Sequence, residues 1–199
     1  MINIVGISGA SGSIYVASII RAFSRMEGET YLIASPTAIR IYNEEMHTSI
    51  SSVNEIVEHV FKQWNIKNSP HTFHPRDFYD IGSDIASGTN QWESMIILPA
   101  SMRTVASISA GTTGNLIERV ADVTLKERRK LIVVPREAPF NRIHLRNLMQ
   151  IDEAGGIILP ASPGFYQNPQ SLDDLADFIT AKIFNLIGIK HSLIPKWQG

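Results

Sequence analysis

Ile2-Asn3-Ile4-Val5-Gly6-Ile7-Ser8-Gly9-Ala10-Ser11-Gly12-Ser13 opens the chain, and its reading decides the fold class. Ile2 to Ile7 is a short apolar run that ends in a glycine and serine cluster, which predicts a strand followed by a tight turn. Beyond the turn, Ile14, Ala17, Ile20 and Ala22–Phe23 recur at helical spacing, which predicts a helix from Ile14 to Met26. The glycines let the backbone turn sharply and approach an anion. The helix start offers unpaired N–H groups, and Ser11 and Ser13 add hydroxyls, so the turn has the character of a phosphate cradle. It lacks the Gly-x-Gly-x-x-Gly spacing of dinucleotide sites and the Gly-Lys-Ser/Thr of a P-loop. The plainer reading is a glycine-rich strand-to-helix connection.

The same alternation continues outward from this unit. Strands are predicted at Thr30–Ala34, Met95–Leu98, Leu131–Val134 and Gly156–Leu159. Pro36 can open a helix carrying Ala38, Ile41, Tyr42 and Glu45 along one side. Further helices are predicted at Val53–Trp64, Met102–Ala110, Leu116–Arg128, Arg142–Ile151 and Leu172–Ile187. Asn65 to Glu93 is mostly polar and reads as a loop-rich excursion with room for one short strand. Strands alternating with helices predict an α/β chain, one domain over residues 1–199, with a mostly parallel sheet covered on both faces.

The 199 residues suffice to bury roughly 70% of the unfolded surface in one domain. A net charge of −1 gives no electrostatic reason to expect nucleic acid or an anionic membrane as partner. The absence of cysteine excludes disulfides, thiolate metal sites and a cysteine nucleophile, and it fits a reducing, cytoplasmic setting. The first residues carry no basic leader, and no apolar run approaches the roughly 18 residues of a bilayer span.

In parallel sheets, ligands bind beyond the carboxyl ends of the strands, so the residues just after each predicted strand carry the chemistry. Ser35 and Ser101 read as helix caps or as anion donors, the latter within Pro99-Ala100-Ser101-Met102-Arg103-Thr104. In Pro135-Arg136-Glu137-Ala138-Pro139-Phe140, two prolines stiffen a turn. Its Arg can hold a phosphate or a ring edge while its Glu moves a proton; a surface ion pair is the alternative. Pro160 to Tyr166 places Phe165 and Tyr166 on a rigid loop. Arg119 and Lys126 are seven residues apart on one helix face and can converge on one anion, whereas Arg128, Arg129 and Lys130 answer the helix dipole. His71 and His74 lie in a predicted loop with no carboxylate cluster and do not read as a metal site.

Four stretches together resemble one family: Gly9–Gly12, Asn115–Glu127, Val134–Phe140 and Leu159–Tyr166. They look like the UbiX-type flavin prenyltransferases over nearly the whole chain, most weakly from Ser51 to Glu93. The resemblance implies a flavodoxin-like or Rossmann-like three-layer domain that binds FMN. Its members join a dimethylallyl group from dimethylallyl phosphate to N5 and C6 of the flavin, without a metal. The prenylated FMN serves a UbiD-type decarboxylase. By motif, Gly9, Ala10, Ser11, Ser35, Ser101, Met102, Arg103, Thr104 and Arg136 would hold FMN. Arg119, Lys126, Tyr166 and Lys182 would hold the prenyl phosphate, and Glu45, Lys126 and Glu137 would act on the reacting atoms. A homododecamer is implied, with the site built where subunits meet. Two positions depart from the family's usual pattern: Ala100 stands for a frequent Cys, and Lys182 for an Arg.

Two other functions share these features. Flavin-dependent oxidative decarboxylases of cysteine-type substrates have a Pro-Ala-Ser-x-x-Thr loop, which Pro99–Thr104 fits, but they use a cysteine absent here. A non-catalytic flavin carrier would bind FMN in the same way, but has no use for a second phosphate cluster.

Overall fold

Each strand divides its side chains between two cores, and that alternation builds the layers. In the computed structural model, which describes residues 1–195, β1 (Ile2–Ile7) sends Val5 and Ile7 to one face and Ile4 to the other. β2 (Gly28–Ala34), β4 (Ser94–Ala100) and β5 (Lys130–Pro135) do the same: Leu32, Ile96 and Ile132 oppose Ile33, Ile97 and Val133. Period-two strands that are apolar on both faces need helices on both sides. The first core is closed by α1 (Ser13–Phe23), α2 (Pro36–Met46), α3 (Val53–Gln63) and α7 (Leu172–Ile187). The second is closed by α4 (Met102–Ser109), α5 (Leu116–Lys126) and α6 (Arg142–Glu153).

With β3 (His71–Arg76) and β6 (Ile157–Ile158), the six strands run β3-β2-β1-β4-β5-β6, every pairing parallel. This is the doubly wound order of dinucleotide-binding folds; without the edge strand β3 it becomes the flavodoxin order. The direction of winding reverses between β1 and β4. There Ser8, buried, locks the two strand ends together. Its Oγ donates to the Pro99 carbonyl (3.0 Å) and accepts the Ser101 N–H (2.8 Å).

The structure corrects the sequence reading in three places. His71 and His74 lie in strand β3, not in a loop. The buried His71 ring meets Thr30 Oγ1 at 2.8 Å, and His74 meets Glu29 at 2.9 Å. Helix α1 stops at Phe23 rather than Met26, because Ser24 turns its hydroxyl back onto the Arg21 carbonyl (2.8 Å). β6 keeps only two of four expected residues, although Leu159 N still bonds the Val133 carbonyl at 2.9 Å beyond its end.

Candidate active site

Three helices, α2, α4 and α5, begin around one cavity, and each start is capped from within. Ser35 Oγ accepts Ala38 N at 3.1 Å, Ser101 Oγ accepts Thr104 N at 3.3 Å, and Asn115 Oδ1 accepts Glu118 N at 3.1 Å. The capping reading of Ser35 and Ser101 therefore holds, and both also line a cavity. That cavity, of about 460 Å³, has Gly9, Ser35, Thr37, Ser101, Arg103, Thr104 and Glu118 among its walls. Gly9 is required there by space: a Cβ on it would stand 2.6 Å from Thr37 Cγ2. Ala10 and Met102, also expected at the site, have buried side chains, so they can offer a ligand little beyond backbone.

The start of α1 differs from the sequence expectation of a free phosphate cradle. Its N–H groups already hold an anion, the carboxylate of Glu45 from the far end of α2. Glu45 accepts Gly12 N at 3.0 Å and Ser13 N at 2.7 Å. Partial burial pushes the Glu45 carboxyl up, but hydrogen bonds from Ser11, Ser13 and Gly12 outweigh it and hold the group below its ordinary value. Gly12 makes the approach possible with φ 128°, a region closed to ordinary side chains.

Beside this pair lies a second cavity of about 700 Å³. Ser11, Glu45 and Arg136 stand in its wall with Tyr15, Trp64 and Leu172. Arg136 Nε donates to the Ser11 carbonyl at 3.0 Å, tying the turn after β5 to the turn after β1. Glu137 makes no ion pair with Arg136. It is exposed, and its Oε1 accepts only the N–H of Ala138 (3.0 Å) among the hydrogen bonds of the described residues.

The four residues expected at a second phosphate do not meet within one chain. Tyr166 and Lys182 share a cavity of about 680 Å³ against the C-terminal half of α7, where the Lys182 ammonium lies 5.1 Å from the Phe178 ring centre. Lys182 is ten residues beyond Leu172, about 15 Å along the helix. Arg119 and Lys126 sit on α5, across the sheet, where Arg119 pairs with Asp122 (3.3 Å) and Lys126 with Glu127. Helical spacing correctly puts Arg119 and Lys126 on one helix, but spacing carries no information on which face of the sheet that helix covers.

Sequence reasoning missed Thr37, Phe78, Tyr79 and Glu118 in the first cavity. Glu118 is a buried carboxylate that accepts the Gly114 N–H at 2.9 Å. Three residues after an Asn cap, it reads simply as a helix start, although its place in an apolar helix face was a signal. Phe78 and Tyr79 fall in the polar excursion, where no motif marks them.

Hydroxyls, capped helix starts and a guanidinium around a cavity of this size suit a polyol bearing one phosphate, and so fit FMN. Among the described residues no cluster of His, Asp and Glu is placed to hold a metal ion. No helix among them is long and apolar enough to cross a membrane.

Comparison with known proteins agrees with this geometry. The Flavoprotein family model matches residues 3–184. The flavin prenyltransferase UbiX of Alkalihalophilus pseudofirmus is 37% identical over 97% of this chain and 94% of its own length. A dodecameric FMN-dependent UbiX-like decarboxylase from Escherichia coli O157:H7 superposes with a TM-score of 0.87 at 33% identity, over all of both chains. AnUbiX (PadA1), solved with FMN and dimethylallyl pyrophosphate, superposes with a TM-score of 0.86 at 30% identity, over 100% of this chain and 97% of its own. The chain is thus a flavoprotein by family, and within the flavoproteins it belongs to the UbiX-type flavin prenyltransferases.

Proposed function

We propose that this chain joins a dimethylallyl group from dimethylallyl phosphate to N5 and C6 of reduced FMN, and passes the prenylated flavin to a UbiD-type decarboxylase in the cytoplasm. The observation that carries the reading is the convergence, at one switch point, of a hydroxyl-lined cavity and a second one holding Glu45 and Arg136. Reduced FMN, when bound, supplies the nucleophilic atoms. Gly9, Ala10, Ser11, Ser35, the Ser101–Thr104 segment and Arg136 hold and orient it.

Dimethylallyl transfer breaks an allylic C–O bond, so the site must stabilise a leaving phosphate. Arg119, Lys126, Tyr166 and Lys182 supply positive charge and hydrogen bonds to that phosphate, which replaces the metal ion other prenyl enzymes use. Because α5 and α7 cover opposite faces of the sheet, these four side chains serve one phosphate only across subunits. An oligomer, a dodecamer on this reading, is then part of the catalytic apparatus. Closing the new ring bonds C6 to the prenyl carbon that bears the two methyl groups: the C=C bond is consumed as a proton adds to its other carbon, and a proton leaves C6. Glu137, on a turn between two prolines and accepting only one backbone N–H among the described hydrogen bonds, receives it directly or through the released phosphate. Glu45 holds a negative charge beside the same reacting edge.

The test is delivery of product. The protein, reduced FMN and dimethylallyl phosphate are incubated without oxygen, and the filtrate is added to a cofactor-free UbiD-type decarboxylase. Decarboxylation should appear only when all three components were present. Equal decarboxylation after FMN alone would refute the reading.

A further inference from the structure

We propose that Arg129 is a positioning residue for the prenyl phosphate: by clamping the turn at Gly88 against the end of α5, it fixes the place of the Lys126 ammonium. This rests on the prenyl-transfer reading, which gives Lys126 to that phosphate, and it adds the groups that hold the lysine there. Lys126 needs holding. It is the last residue of α5 and its side chain is half-exposed, so its flexible four-carbon stem would otherwise spread the charge over many positions.

The path of the chain builds the clamp. Arg128 adopts the left-handed conformation at φ 57°, and beyond it the Arg129 N–H donates to the Thr124 carbonyl at 2.9 Å. The Arg129 guanidinium is thereby turned back under the helix end. It lies 4.1 Å from the ring centre of Trp92, a buried side chain whose indole N–H donates to Thr124 Oγ1 at 3.2 Å. From there Arg129 Nη2 donates to the Gly88 carbonyl at 2.9 Å, across 41 residues of sequence. Nη1 is buried with no hydrogen-bond partner among the described residues. A guanidinium that served only the helix dipole would keep all its donors in water. Leaving one unpaired costs part of what the contact with Trp92 gains, so stability alone does not account for the position of Arg129.

Gly88 supplies the independent observation. A Cβ built on it would stand 3.0 Å from Lys126 Nζ and 2.9 Å from Glu127 Cδ, so the turn packs directly against the Lys126–Glu127 ion pair. The turn walls one side of the ammonium and the Glu127 carboxylate holds another. An ammonium has three donors, and the bond to Glu127 uses one, which leaves two for a phosphate. A cation already in place loses little freedom when the phosphate arrives, so the clamp acts on phosphate binding.

The test compares FMN-loaded Gly88→Ala, Arg129→Ala, Lys126→Ala and the double variant Arg129→Ala/Lys126→Ala. It reads KM for dimethylallyl phosphate, Kd for inorganic phosphate and Kd for FMN. Gly88 lies outside the left-handed region, so alanine suits its backbone and displaces only the two side-chain tips. Gly88→Ala and Arg129→Ala should each raise KM and the phosphate Kd about fivefold, less than loss of the lysine itself, with FMN affinity kept within about twofold. In chains lacking Lys126, Arg129→Ala should change KM by less than about twofold more, because its effect passes through the lysine. The same factor with and without Lys126 would overturn the proposal, and so would an unchanged KM in Gly88→Ala. If Arg129→Ala fails to fold, Gly88→Ala alone and combined with Lys126→Ala decides by the same two criteria. If the wild-type protein transfers no prenyl group, the functional reading falls and this inference with it. If it does and these losses are absent, only the inference falls.

Discussion

The carboxylate of Glu45 closes the N-terminus of α1 by accepting the N–H of Ser13 at 2.7 Å, across 32 residues of sequence. A charge there interacts favourably with the partial positive charge of the helix start. Glu45→Gln keeps the shape and an acceptor but removes the charge, and should cost about 0.3–1 kcal/mol at neutral pH. The folded-state value of Glu45 is depressed, so its contribution is complete above the ordinary carboxylate range and is lost as pH falls through the lowered value. Thermal melts of wild type and variant should therefore differ at pH 7 and converge toward pH 3. A gap that stays constant over this range would show that the charge contributes nothing to the helix start.

Gly9 and Thr37 fit only because Gly9 has no side chain. Gly9→Ala would bring a methyl group to 2.6 Å from Thr37 Cγ2 and 2.9 Å from Thr37 Cβ, so either the turn after β1 or the first turn of α2 must move. FMN affinity should fall about tenfold or more, roughly the effect of losing one good hydrogen bond to a phosphate. Adding Thr37→Gly removes both colliding atoms and should restore part of the affinity. Fluorescence titration of FMN reads both; no change in Gly9→Ala would mean the turn bends away freely.

The alternation of strands and helices was legible because Val5, Ile33, Ile97 and Val133 sit in strands too apolar to be read as anything but buried. β3 was not, for a physical reason. As an edge strand it has one neighbour and little burial, so His71-Thr72-Phe73-His74-Pro75-Arg76 needs no apolar pattern and tolerates a proline. Caps were legible at Ser35 and Ser101 from residue type and position. What stayed hidden was set by packing between distant elements: Glu45 at the start of α1, Trp64 against Asp173, and the separation of Arg119 from Lys182 by the thickness of the sheet.

That separation makes a prediction about mixed assemblies. Lys182→Ala should weaken dimethylallyl phosphate binding by about 1.5–3 kcal/mol, the worth of a charged hydrogen bond, and Lys126→Ala by a similar amount. If one phosphate is held across subunits, co-expressing the two variants rebuilds sites that draw each lysine from an intact chain. On the order of a quarter of the sites should then be unmutated, and activity should rise well above either variant alone. Activity no higher than the mean of the two variants would place all four side chains on separate tasks.

The most direct measurement is the mass of the flavin. Protein, reduced FMN and dimethylallyl phosphate are incubated without oxygen, with and without EDTA, and the extracted flavin is weighed by mass spectrometry, with the diphosphate donor run in parallel. FMN heavier by one five-carbon prenyl unit is expected, in equal yield with EDTA present. Flavin recovered at its original mass, or a heavier product formed only when a metal ion is supplied, would contradict it.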